Sequence, residues 1–503
     1  MPEYSTIAAV DLGSNSFRLQ VARIVDDQIY PLDSLKETVR LASGLSADKQ
    51  LDTAAQERAL ACLKRFNERL RGLPPEAVRA VGTNTFRVAK NAEAFLKAAE
   101  AALGFPIDII AGREEARLIY LGVSHGLPVS SAKRLVVDIG GGSTECIIGQ
   151  GFEPREMESL YMGCVSFTQR FFADGKISKS ALQQAELAAR AEVQAIAAGF
   201  VAGHWEQAVG SSGTARALAD ILEQNGWSAS GITGAGMEKL RAFLIKAGDV
   251  KALTLPGLSA DRMPVLPGGF AIMAGVFAEL NIAHMTVAAS ALREGVLHDL
   301  LGRFHHHDQR DATVIQFMQR YHVDTQQAAR VETLALALFD QIAAQIAHDK
   351  EAARRLLSWA ARLHEVGITI AHASYHKHSA YILANADMPG FSKIDQARLS
   401  ALVRAHRGNL AKATREQKLQ NEDWELIAIL RLAVLLCRTR REMDGGAIHY
   451  RREQSKMRLL LAPQWLADSP LTETLLEEEV RQWKGVRGTL EVEFNSAPLA
   501  VNS

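Results

Sequence analysis

Two segments of the chain end an apolar run in aspartate and follow it with a turn of glycines and hydroxyls: Val10-Asp11-Leu12-Gly13-Ser14-Asn15-Ser16-Phe17 and Val137-Asp138-Ile139-Gly140-Gly141-Gly142-Ser143-Thr144. β-Prone residues leave both turns, Phe17-Arg18-Leu19-Gln20-Val21 in one and Cys146-Ile147-Ile148 in the other. Each segment therefore reads as a β-hairpin with a tip the size of a phosphate. Glycines let successive N–H groups converge on an anion, hydroxyls add donors, and the strand-end carboxylate can hold a divalent cation against the same phosphate. An ordinary turn accounts for one such segment, but a second copy with its aspartate in the same place points to an internal repeat. Neither copy is a P-loop, because no lysine follows Gly140 to Thr144, and the third glycine of a dinucleotide fingerprint is missing.

A third turn, Val209-Gly210-Ser211-Ser212-Gly213-Thr214, follows a short apolar run and reads as opening a helix at Ala215. Its N–H groups suit an anion, and a plain helix start explains it equally. The remaining cluster is Ala111-Gly112-Arg113-Glu114-Glu115-Ala116-Arg117-Leu118. The helix dipole alone favours carboxylates at a helix start, and the functional reading is a carboxylate that activates water. Successive helical residues diverge by about 100°, so at most one of Glu114 and Glu115 can face the hairpins.

Positioning these turns requires alternating elements, and the first half supplies them. Thr6 to Val10, Phe17 to Val25, Val78 to Val81, Ile107 to Ile110, Arg134 to Ile139 and Glu145 to Ile148 read as strands, and Ser180 to Phe200 as helix, an α/β alternation. Thr53-Ala54-Ala55-Gln56 reads as a capping box opening a helix with the stripe Leu60, Leu63, Phe66 and Leu70. Ala291 to Leu301 reads as helix, and the polar run Arg303 to Asp311 marks a domain boundary. The histidines of that run, His305, His306 and His307, point to different sides of any regular element, so a solvated linker fits them better than a metal site. Thr325 to Leu436 is helix-patterned, and Met457 to Leu461 and Thr489 to Phe494 read as strands around a helix near Leu471 to Trp483.

The 503 residues balance 57 Lys+Arg against 57 Asp+Glu, with 48% hydrophobic and 23% charged residues. That is a globular chain of about three domains at ~150 residues each, without the basic excess of a general nucleic-acid binder. Cys62, Cys146, Cys164 and Cys437 lack metal-ligand spacing and read as reduced buried thiols. The N-terminal residues have neither the basic n-region nor the long apolar h-region of a signal peptide. No run reaches the ~18 unbroken apolar residues of a membrane span, the best candidate, Trp424 to Cys437, being interrupted by Glu425 and Arg431. A cytoplasmic protein is expected.

At these residues the sequence resembles the exopolyphosphatase and guanosine pentaphosphate phosphohydrolase family, within the superfamily of actin, sugar kinases and heat-shock chaperones. The likeness covers nearly the whole chain. Its motifs are the two hairpins, Val81-Gly82-Thr83-Asn84-Thr85-Phe86-Arg87, Glu114 to Leu118, Met162 to Phe167, Gly213-Thr214, Leu255 to Ser259 and Ala291 to Leu297. The resemblance implies two ribonuclease-H-like (actin-like) α/β domains facing across a cleft, over 1–125 and 126–302. A mostly helical domain similar to HD phosphohydrolases over 303–445 and a small α+β segment over 446–503 would follow. It further implies that Glu115 is the catalytic carboxylate, that Asp138 helps hold Mg²⁺ with Asp11 close by, and that Arg87 contacts phosphate. Ser14, Asn15, Gly141, Gly142, Ser143 and Thr144 would lie on two phosphate-binding turns and Ser212, Gly213 and Thr214 on the third. A homodimer is expected on the same ground.

The helical region carries Leu363-His364-Glu365-Val366-Gly367, His372, His376-Lys377-His378 and Arg404-Ala405-His406-Arg407. A metal-binding HD pair has aspartate after histidine, whereas Glu365 follows His364, which disfavours metal hydrolysis here. His376, Lys377, His378, Arg404, His406 and Arg407 would extend the cleft with positive charge toward a polyanion, or else be solvated surface residues. The expected activity is Mg²⁺-dependent release of terminal orthophosphate from inorganic polyphosphate, because the whole-chain likeness runs to the long proteobacterial exopolyphosphatase. Removal of the 5′-γ-phosphate of guanosine pentaphosphate in the same site is the alternative. A kinase using ATP, or a nucleotide-gated interaction protein, is the third reading of the same superfold.

Overall fold

Both aspartate-glycine segments fold as antiparallel hairpins. The computed structural model describes the chain except residues 1–3, 26–27, 47, 129, 305–307, 347–348, 416–418, 420, 441–447, 454–455, 462–469, 485, 487–488 and 495–503. The histidine run at 305–307 and the expected boundary at 445 thus lie outside the described residues. Two compact units divide the chain, Met1–Gln309 and Arg310–Ser503.

In the first unit, β1 (Thr6–Leu12) and β2 (Phe17–Val25) pair with Leu12 opposite Phe17, which leaves residues 13–16 as the tip. β3 (Gln28–Glu37) continues the meander, and β4 (Val78–Gly82) and β5 (Ile107–Ile109) run parallel to β1 on its other side, in the order β3-β2-β1-β4-β5. Ile7 to Val10 of β1 are fully buried on both faces, as a central strand flanked by a parallel neighbour requires. The pattern then repeats. β6 (Lys133–Ile139) and β7 (Thr144–Gln150) form the second hairpin with Ile139 opposite Thr144, β8 (Glu153–Leu160) continues it, and β9 (Gln207–Ser211) lies parallel on the far side. β10 (Ile232–Thr233) and β11 (His284–Val287) complete the order β10-β11-β9-β6-β7-β8. Apart from the added antiparallel edge strand β10, the two sheets share strand order and sense, which gives the duplicated actin-like arrangement. β3 and β8 escape a reading for apolar runs because as outer strands they carry exposed polar residues, Gln28 and Lys36 in one, Glu153 and Arg155 in the other.

Between the two sheets lie the helices Gly112–Gly126 and Leu292–Phe304. Their Leu118, Ile119, Val296 and Leu297 share one core with Ile7 and Ala9 of β1, Val136 of β6 and Ile147 of β7. The helices cross in backbone contact, since a Cβ at Gly295 would fall on the Leu118 carbonyl and one at Gly122 on the Ala291 carbonyl. The last helix, grouped with the second lobe on sequence, packs against Gly112–Gly126 and β1 of the first. Two local expectations are corrected. Helix Thr53–Leu70 is capped by Asp52, whose Oδ1 accepts from Ala55 N, while Gln56 Nε2 bonds Leu51 O, so Thr53 is not the cap. The segment Met263–Leu280 is long and apolar enough for a membrane span, but 67% of it is buried, and Phe270, Ile272 and Met273 are fully packed in the core of the second sheet.

The second unit is helical, with Thr325–Ile346, Lys350–Leu363, Tyr375–Asn385, Lys393–Ala405 and Asn421–Leu436 around one core. β12 (Ile448–Glu453), β13 (Lys456–Leu461) and β14 (Thr489–Phe494) form a small sheet beside helix Pro470–Trp483. Tyr450, Leu459, Leu476 and Trp483 belong to the helices' core, so the terminal segment is packed into this unit.

Candidate active site

The hairpin tips meet. Gly13 to Ser16 and Gly140, Gly141 and Ser143 line one pocket with Asp11, Glu115, Asp138, Ser212 and Gly213. A Cβ at Gly141 would stand 3.0 Å from Ser14 Cβ and 3.2 Å from Asn15 N, so glycine is what allows the tips to abut. Ser14 is held from behind by Thr85, whose Oγ1 donates to Ser14 Oγ at 2.8 Å. Gly142 lies under the Asn84 amide. The second tip is backed by Gly163, whose missing Cβ leaves room for the Gly141–Gly142 peptide, and Cys164 N donates to Gly140 O at 2.9 Å.

The third turn differs from expectation in its start. Its helix begins at Ser212, three residues before Ala215, and Ser212 has a left-handed φ of 79°. The Arg262 guanidinium occupies the place a Cβ at Gly213 would take. Thr144 and Thr214 serve the frame, their Oγ1 atoms donating to Met162 O at 2.7 Å and Ile139 O at 3.0 Å.

Helix Gly112–Gly126 turns its two glutamates apart. Glu115 faces the pocket, where Arg87 Nη1 donates to its Oε2 at 2.8 Å and to Ile110 O at 2.9 Å. Glu114 faces the opposite way, bidentate with Arg117. Burial pushes the Asp11 carboxyl up to about 7, opposed by Arg18 and reinforced by Glu115. Burial likewise pushes Asp138 up to about 6, opposed by its Ser211 hydrogen bond and reinforced by Glu115. Glu145, 1% exposed and accepting from Ser159 Oγ at 2.9 Å, is raised well above its usual range by burial, then by Glu115 and Asp138.

Among the described residues no three His, Cys, Asp or Glu side chains stand at metal-binding spacing. The crowded oxygen donors nonetheless suit a hard divalent cation that takes one or two carboxylates and completes its shell with water and phosphate, as magnesium does. Asp11 and Asp138 are the pocket carboxylates at the two glycine- and serine-rich turns that could hold one.

Sequence reasoning missed Arg18, Glu145, Arg216, Arg262 and Arg293. Two had a signal. Asp11 pairs across its hairpin with Arg18, and Asp138 across the equivalent hairpin with Glu145, so the two occupy the same position of the repeat, and directly opposed residues share a face. Arg216, Arg262 and Arg293 reach the pocket from distant segments. Burial lowers the Arg18 guanidinium and the nearby Arg216, Arg293 and Arg262 lower it further, although Asp11 raises it. Arg293 Nη2 is bonded to Glu294 Oε1 at 2.5 Å.

The basic stretch lies in the second unit. Lys377 is exposed, and Arg407 stacks 4.7 Å over the Tyr375 ring. Arg404, His376 and His378 are half-buried. His406 is 2% exposed, with Nδ1 bonded to Val403 O at 2.6 Å and its ring against His364 and Tyr375, so it belongs to the core rather than to a polyanion track. Burial pushes His406 well below its usual range and His376 down to about 4, which keeps both neutral near pH 7. Glu365 is bonded by Arg440 Nη2 at 3.0 Å.

Duplicated actin-like lobes, opposed phosphate turns and a helix-borne carboxylate define an enzyme class that acts on phosphoryl groups. The chain belongs to the Ppx/GppA phosphatase family, whose model matches residues 20–304, with the model of the family's domain III matching 309–480. It is 37% identical over 487 residues to the guanosine-5′-triphosphate,3′-diphosphate pyrophosphatase of Vibrio atlanticus, covering 97% of this chain and 98% of that one. The protein of the same name from Aeromonas hydrophila is 38% identical over 478 residues, covering 94% and 96%. Among solved structures, an exopolyphosphatase from Cytophaga hutchinsonii superposes with a TM-score of 0.54 at 25% identity, over 59% of this chain and 98% of that one. The relatives that match end to end carry the nucleotide name, which favours the alternative reading over polyphosphate.

Proposed function

We propose that this protein hydrolyses the 5′-γ-phosphate of guanosine-5′-triphosphate,3′-diphosphate, releasing orthophosphate. The reading is supported by the end-to-end relatives named for this nucleotide and by the surplus of guanidiniums in the pocket. The turn N–H groups would serve one terminal phosphate, yet Arg18, Arg216, Arg262 and Arg293 also line the pocket, and the last three act on Arg18 as like charges. Such a cluster suits phosphate charge beyond the terminal group, and a 3′-diphosphate adds two phosphates to those a plain nucleoside triphosphate carries. Polyphosphate in the same site is the second reading, supported by the Cytophaga structure.

In this mechanism Glu115 accepts a proton from a water lined up with the terminal phosphorus. The water oxygen bonds to phosphorus as the bond to the bridging oxygen breaks, and the nucleotide diphosphate departs with the electron pair. Arg87 fixes the Glu115 carboxylate, and the turn N–H groups meet the charge on the transferring phosphoryl oxygens. A magnesium ion, when bound by Asp11 and Asp138, supplies neutralisation of phosphate charge.

Equilibrium binding to the Glu115→Gln protein tests the second anionic group. Guanosine pentaphosphate should bind at least about tenfold more tightly than GTP, as one or two charge-assisted contacts give. Arg262→Met should erase most of that difference. Equal affinity for the two nucleotides in the Glu115→Gln protein contradicts the assignment. Homodimerisation stands as a family-based proposal, checked by the solution mass.

A further inference from the structure

Behind the pocket, on the far side of the helix that carries Glu115, lies a cluster of buried charges that the chemistry above leaves unused. Glu114 is bidentate with Arg117, Oε2 to Nε and Oε1 to Nη2, both at 2.8 Å. Asp299, on helix Leu292–Phe304, is bonded by Arg117 through Oδ1 and by Arg79 of β4 through Oδ2, and Arg303 Nε reaches Oδ2 at 3.1 Å. Exposure is 2% for Glu114, 6% for Arg117, 4% for Arg79 and 8% for Asp299. Among the described residues the Arg79 guanidinium hydrogen-bonds through Nη1 to Asp299, while its Nε and Nη2 find no hydrogen-bond partner. Asp299 is thus the shared anion of two buried cations that come from different elements.

Charges buried this deeply are poor investments in stability alone, because desolvation offsets most of their attraction. Their geometry supplies another use. Glu115 is tied on the pocket side to Arg87, which fixes only the end of its side chain. Glu114 and Arg117, its neighbours along the helix, are tied on the opposite side to β4 and to the last helix. Two sets of ties on opposite sides fix the rotation of helix Gly112–Gly126 about its own axis, and that rotation decides where the Glu115 carboxylate sits relative to the phosphate turns. The Gly295–Leu118 and Gly122–Ala291 backbone contacts hold the helices together but place no polar restraint on rotation.

We infer that Asp299 is a positioning residue for Glu115, acting through Arg117 and Arg79. The inference rests on Glu115 being the water-activating group. A displacement of about 1 Å in such a group costs on the order of 100-fold in rate.

The test compares Asp299→Asn, the double variant Asp299→Asn/Arg303→Met and Glu115→Gln with wild type, on guanosine pentaphosphate and on polyphosphate, each checked for folding by circular dichroism. The double variant removes the half-buried Arg303 cation together with the anion, so it keeps the charge balance if the single variant does not fold. Both Asp299 variants should lose on the order of 10- to 100-fold in kcat with KM within about threefold, a split that loss of substrate binding would not give. A folded double variant with wild-type kcat overturns the inference, showing that only charge balance mattered. If Glu115→Gln is inactive while the folded double variant is normal, this inference alone fails. If Glu115→Gln retains activity, the reading of Glu115 fails and takes the inference with it.

Discussion

Glu115→Gln should reduce kcat by about 100- to 10,000-fold, the usual contribution of a positioned general base, while guanosine pentaphosphate binds within about threefold of wild type. The substitution is isosteric, and its amide oxygen can still accept from Arg87 Nη1, so the pocket wall stays in place. What is lost is the carboxylate that takes the proton. Single-turnover phosphate release, read alongside equilibrium binding, separates the two effects. Phosphate release near the wild-type rate by a folded Glu115→Gln protein would remove Glu115 from the chemistry.

The second large effect is expected at a residue that carries no functional group. Gly163→Ala would place a methyl group in the Gly141–Gly142 peptide, where the obstacle is backbone and cannot swing aside. The second phosphate turn must move, and a shift of about 1 Å in its N–H groups costs on the order of 100-fold in kcat/KM. Overpacking should also destabilise the protein by about 1–3 kcal/mol. Gly151→Ala is the control, in the β7–β8 turn of the same lobe. Gly151 has φ 58° and open space around its Cβ position, so alanine there costs about 1–2 kcal/mol of backbone strain and leaves activity unchanged. Equal activity of the Gly163→Ala and wild-type proteins would show that the turn does not have to stay where it is.

These two positions also show how far a sequence can be read. The hairpins were legible because their chemistry is local: an apolar strand, an aspartate at its end, and turn residues that need no distant partner. The helix with Glu114 and Glu115 was legible as a helix, and the rule that only one faces the tips held, with Glu114 turned to Arg117. Arg18 and Glu145 needed one further step, counting across each hairpin to the residue opposite the aspartate. Arg216, Arg262 and Arg293 left no local trace, because they converge only once β9, the Leu255-to-Val265 loop and the last helix have packed. The same limit applies to the substrate. Motifs for gripping a terminal phosphate suit polyphosphate and nucleotide alike, and they say nothing of what lies beyond that phosphate. The basic stretch around His406 misled for a related reason, since a histidine beside two arginines reads the same whether it faces solvent or, as here, the core.

The most direct test is the initial rate of orthophosphate release, with Mg²⁺, from guanosine pentaphosphate and from long-chain polyphosphate at matched terminal-phosphate concentrations. The account predicts a higher kcat/KM for the nucleotide, abolished by Glu115→Gln. Faster Glu115-dependent release from polyphosphate would contradict it, leaving the catalytic carboxylate in place and giving the guanidinium cluster to a longer phosphate chain.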